Sequence, residues 1–150
     1  MTMNLNPKTP ASQALALLKE VKSHYSRILE RVAEQKEAIR HENEIRILEL
    51  IEEKGISLKH AKRLEDEVEQ IFNDLSGMEQ EELALKTERI QKEIETLLKQ
   101  VIAEEEACAK QLDEKKKKTG EKLKGIKHGK TVVKGYDSQK RSRSKISKNA

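Results

Sequence analysis

The sequence predicts an all-α protein: a long antiparallel helical hairpin or coiled coil with a shorter helix and a disordered basic C-terminal tail. Three observations carry this. Ala, Glu, Lys, Leu and Arg supply 81 of the 150 residues, a share typical of long or coiled helices. Only 2 prolines and 6 glycines interrupt the chain, and aromatic residues make up 2%. Sandwiches, barrels and βα-repeats need frequent turns and β-branched or aromatic runs, which this composition excludes. Apolar residues also recur at steps of three and four, the period of an amphipathic helix. Leu, Ile, Val and Phe total 35 residues, enough for a narrow seam within one domain.

Residues 1–9 are polar and read as a flexible N-terminus. Thr9-Pro10 is a helix start: threonine caps free N–H groups, and proline has the φ of the first helical position. A first helix is predicted over about 10–54, because no Gly or Pro intervenes. Leu18, Val21, Tyr25, Ile28, Val32 and Ile39 form its stripe, with Gln35 a weak point. Gly55 interrupts the pattern, as a kink or a loop, and Ser57 can cap a second helix over about 57–75. Its stripe is Ala61, Leu64, Val68, Ile71 and Leu75. The chain then reverses near Ser76-Gly77-Met78-Glu79, which reads both as a glycine stop and as a capping box.

The third helix is predicted over about 78–119 and can extend to 128, closing a helical domain at 10–128. Leu83, Ile90, Ile94, Leu97, Val101 and Cys108 share a face. Leu98 and Ile102 widen it, either to pack the shorter helix or to meet a partner. Glu82–Lys86, Glu88–Lys92, Glu95–Lys99, Glu106–Lys110 and Glu114–Lys118 lie four apart with Glu first, the pattern of a solvated helix face. Residues 129–150 are Ser- and Lys/Arg-rich and read as a flexible basic tail. An exposed apolar stripe is covered either by folding back or by a second copy, so a homodimer is the alternative to the hairpin.

The formal net charge of +4 hides an asymmetry: residues 1–110 carry 17 Lys/Arg against 23 Asp/Glu, and residues 111–150 carry 14 against 4. Nucleic acid is therefore a partner only through the tail, where Tyr136 is the sole aromatic available for base stacking. The single cysteine excludes an internal disulfide and points to a reducing compartment. Met1 to Pro10 has no signal-peptide core, and no run approaches a membrane span. A cytoplasmic protein without membrane insertion is expected.

No catalytic, cofactor or metal site is expected. There is no GxxxxGK[ST] loop, no GxGxxG and no nucleophile elbow. His24, His41, His60 and His128 are scattered. Glu37 and His41 are four apart, but no second pair completes a metal set. Cys108 falls on the apolar face and reads as a small buried side chain.

The layout is carried by YSRILERVAEQKEAIRHENEIRILELIEEK (residues 25–54) and GKTVVKGYDS (residues 129–138). Over about residues 12–138 it resembles the flagellar type III export chaperones of the FlgN/FliT kind. The resemblance implies a chaperone that covers an amphipathic terminal helix of a hook-associated or cap-type subunit. It would prevent premature assembly and deliver the subunit to an export-gate component. It further implies Leu97, Val101, Leu123 and Ile126 as cargo-facing residues and Tyr136 as the gate contact. On that view, charge at Val101 or Ile126 weakens cargo binding without unfolding the body. The competing reading is a coiled-coil adaptor or homodimer whose basic tail binds RNA or another polyanion.

Overall fold

A computed structural model describes residues 9–119 of the chain. Leu123, Ile126 and Tyr136, the expected tail at 129–150 and most of the expected N-terminal segment lie outside the described residues. Within them the chain forms three helices and no strand: α1 (Pro10–Arg40), α2 (Glu44–Asn73) and α3 (Gly77–Thr119).

α1 begins as its sequence directs. Pro10 takes the first helical position, and the Ser12 N–H donates to Thr9 Oγ1 at 3.1 Å. Ala11, Ala14, Leu18, Val21, Tyr25, Ile28, Val32, Gln35 and Ile39 are all buried, at alternating steps of three and four. The expected continuation to residue 54 does not occur. The Asn43 N–H donates to Ala38 O (2.9 Å) and the Glu42 N–H to Ile39 O (3.0 Å). This paired bonding defines a Schellman stop, with Glu42 at φ 55° where glycine is usual. Asn43 then caps α2 by accepting from the Arg46 N–H at 3.2 Å. Lys115 of α3 holds the turn, donating to Arg40 O at 3.3 Å and facing Glu42 Oε2 at 3.6 Å.

The expected break at Gly55 is likewise absent, and α2 runs through it. One glycine costs about 1 kcal/mol in a helix. Burial of Ile47, Leu50, Ala61, Leu64, Val68 and Phe72 along the same helix outweighs it. At the second turn, Ser76 and Glu79 close a capping box: Ser76 Oγ donates to Glu79 Oε1 at 2.9 Å, and the Glu79 N–H faces Ser76 Oγ at 3.4 Å.

Cross-helix pairs give the directions. Arg31 Nε donates to Glu53 Oε1 (2.9 Å) and Tyr25 Oη to Glu65 Oε1 (2.8 Å), so α1 and α2 are antiparallel. Lys22 meets Glu93 at 3.0 Å and Lys36 meets Glu104, so α3 runs parallel to α1. Two long helices with an accessory one are thus replaced by three helices in up-down-up order. α1 packs along both neighbours, whereas α2 and α3 approach each other sparsely. The core contains polar members: Tyr25–Glu65, Lys54–Glu105, Thr87, Gln91 and Gln35. Gln35 Oε1 is buried without a hydrogen-bond partner.

Candidate functional site

The described helices cover most of one another's apolar stripes, which leaves room for a partner only where a helix edge stays open. Such an edge runs between α1 and α2. On α1, residues 13, 16, 17, 20, 23, 24 and 27 recur at helical spacing and share one face. On α2 the facing residues are 63, 64, 67, 70 and 71. Together they form two recesses that meet at Glu20.

The first recess, about 600 Å³, has an apolar floor of Ala16, Leu17 and Ile71. Leu17 and Ile71 are half-buried and pack against the core from its margin. Glu20 and Glu67 flank the floor, and neither is ion-paired among the described residues. The second recess, about 270 Å³, is polar and is lined by Glu20, Ser23, His24, Arg27 and Arg63. His24 stacks on His60 of α2 with ring centroids 5.4 Å apart and planes 13° from parallel. Burial holds the His24 imidazole below the usual histidine range, and Arg27, His60 and Arg63 act in the same direction against Glu20. His24 Nδ1 is buried without a hydrogen-bond partner.

The arginines divide by position. Arg31, Arg40, Arg46 and Arg89 each sit in an ion pair with a glutamate. Arg27 and Arg63 have no carboxylate partner among the described residues, and both line the polar recess. Farther along the same α1–α2 edge, Arg31–Glu53 (2.9 Å), Arg46–Glu34 (3.2 Å) and Arg46–Glu53 (3.1 Å) bridge the helices. One half of the edge is therefore closed by internal ion pairs. The other half is open, with an apolar floor and charges to spare, which suits it to an amphipathic helix.

Of the residues singled out from the sequence, Leu97 and Val101 fall elsewhere. Val101 is 0% exposed in the core, and Leu97 is half-buried against it. A charge at Val101 therefore acts first on folding, which corrects the expectation that the body would tolerate it. The apolar face of α3 packs chiefly on α1, not on α2. Glu37 and His41 lie 3.9 Å apart on the surface, and among the described residues no group of three or more potential ligands is placed to hold a metal. Cys108 is 1% exposed, with its Sγ 3.9 Å from Val32 O. Burial, aided by Glu105, pushes its thiol up to about 11. No helix among the described residues is long and apolar enough to cross a membrane.

The trough was not read from the sequence. Leu17 flanks the α1 stripe by one position, a weak trace, and Ile71 lies in the stripe expected for the second helix. Nothing in linear spacing says that His24 meets His60, or which arginines go without partners. Comparison of the chain with family models, with curated proteins and with solved structures gives no match.

Proposed function

We propose that this chain is a cytoplasmic export chaperone of the flagellar type III kind that holds an amphipathic terminal helix of its cargo in the trough between α1 and α2. The observation that carries this reading is the open half of the α1–α2 edge, with its apolar floor at Ala16, Leu17 and Ile71 between unpaired charges. Groove binding of a helix uses such a floor for affinity and its flanking charges for register. The flagellar element of the proposal comes from the resemblance at residues 25–54 and 129–138. It includes Leu123 and Ile126 as further cargo contacts and Tyr136 as the contact to the export gate.

The test is affinity capture with the full chain from its native cell at physiological salt, followed by mass spectrometry. Wild type is expected to retain hook-associated, cap or filament subunits. Leu17→Asp and Ile71→Asp are expected to lose them while circular dichroism shows unchanged helicity. Equal capture by both variants refutes the trough as the cargo site. Capture of RNA or ribosomal proteins that leave on a salt wash, with no flagellar subunit, replaces the proposal by the basic-tail adaptor.

A further inference from the structure

The polar recess raises a question that the apolar floor does not answer. Arg27, Arg63 and His24 converge there beside Glu20, with His60 stacked on His24, and neither arginine is ion-paired among the described residues. Like charges held together are unfavourable unless an anion joins them. Elsewhere on the same edge this protein meets that requirement with its own carboxylates, as Arg31 and Arg46 do with Glu53 and Glu34. Arg27 and Arg63 make no such pair among the described residues; Glu20 is the one carboxylate lining the recess against two guanidiniums, and its volume of about 270 Å³ has room for a second.

We propose that the recess at Arg27, Arg63 and the His24–His60 pair seats an Asp or Glu side chain of the bound partner helix. This rests on the trough being the cargo site and adds the partner's chemistry. The two recesses meet at Glu20, so one helix lying along the trough reaches both. Leu17 and Arg27 are ten residues apart on α1, about 15 Å at 1.5 Å per residue. The partner then carries an apolar anchor over Leu17 and Ile71 and an acidic residue about ten positions away. Between them a Lys or Arg faces Glu20 and Glu67. A free polyanion fits less well, because the carboxylates of Glu20 and Glu67 line the continuation of the same trough.

The seat also links binding to protons. His24 is faced by Glu20 and Arg27 of its own helix and by His60 and Arg63 of α2. A bound carboxylate offsets the positive side of this set, so the His24 imidazole takes up a proton more readily in the complex.

The test uses the full chain and synthetic amphipathic peptides of about 18 residues, a length of about 27 Å as a helix. Each has a leucine anchor, a lysine one turn on, and either Glu or Gln ten positions from the anchor, made in both chain directions. The Glu peptide is expected to bind about tenfold more tightly than its Gln twin, in line with a hydrogen bond to a charged group. The difference is expected to vanish in the Arg27→Gln/Arg63→Gln variant, whose two positions are exposed. By NMR, the ring signals of His24 should titrate at higher pH in the Glu complex than in the Gln complex. Equal binding of both peptides, lost in Leu17→Asp, removes the acidic seat and leaves the trough. Binding of none removes both. Displacement of the Glu peptide by millimolar sodium phosphate, with no loss on Gln substitution, overturns the seat in favour of a free-anion site.

Discussion

Replacing Lys54 by methionine isolates a buried ion pair between α2 and α3. Lys54 Nζ lies 2.7 and 2.8 Å from the two oxygens of Glu105, and the side chains are 2% and 1% exposed. Lys54→Met keeps an unbranched stem in the core but removes the cation from a buried carboxylate. Breaking such a pair from one side costs about 3–5 kcal/mol, because the remaining charge stays desolvated. A domain of this size has about 5–15 kcal/mol in total, so the loss is a large fraction. With a urea slope near 2 kcal/mol/M, the unfolding midpoint should fall by about 1.5–2.5 M. Glu105→Leu should be similarly damaging. The double variant Lys54→Met/Glu105→Leu should recover to within about 1 kcal/mol of wild type or exceed it, since apolar replacement of a buried pair is often neutral or stabilising. Urea unfolding of the four proteins, followed by far-UV circular dichroism, closes the cycle. A single-variant loss below about 1 kcal/mol, or a double variant as unstable as the sum of the singles, would refute the reasoning: the pair would then behave as a solvated one.

Three further outcomes follow from the same packing. Gly55→Ala should raise stability by about 0.5–1 kcal/mol, because a Cβ there meets nothing within 4 Å; an unchanged or lower urea midpoint counts against a continuous α2. His24 should weaken the fold in acid. Its imidazole is held below the usual 6.5 in the folded state, so below that pH the unfolded chain binds the extra proton and stability falls. Wild type should therefore lose more stability between neutral and mildly acidic pH than His24→Gln; matching losses argue against the buried, cation-flanked site. Cys108 should react slowly with a thiol reagent in the native state, given its 1% exposure and a thiol pushed up to about 11, and at once in denaturant. Fast native labelling would show that the α1–α3 seam opens readily.

The local half of this protein is written in its sequence. Thr9-Pro10 starts α1, Ser76 and Glu79 box the start of α3, and the steps of three and four from Leu18 to Val32 name buried positions. Capping and periodicity act between residues a turn or so apart, so linear order suffices to read them. The turn at residues 41–43 is different. It places Glu42 at φ 55° without a glycine, and a left-handed L-residue costs about 1–2 kcal/mol. That is repaid only by folding α2 back onto α1 and by the Lys115 contacts from the far end of α3. Gly55, the more obvious breaker, is carried through by the same packing.

Tertiary structure also decided which charges lie inside. Lys54 and Glu105 occupy stripe positions, yet a lone Lys or Glu in a pattern reads as a flaw until its partner arrives from another helix. The same holds for the candidate site. Val101 looks like a contact residue on an isolated helix and becomes core once α1 covers it. Arg27 and Arg63 look like ordinary surface residues until the α1–α2 edge brings them together with His24 and His60, while Arg31 and Arg46 find their glutamates nearby. Helix formation is a property of neighbours along the chain and was settled by the sequence. Whether a side chain is covered, paired or left waiting depends on residues about 20 to 75 positions away, and only the packed bundle determines that.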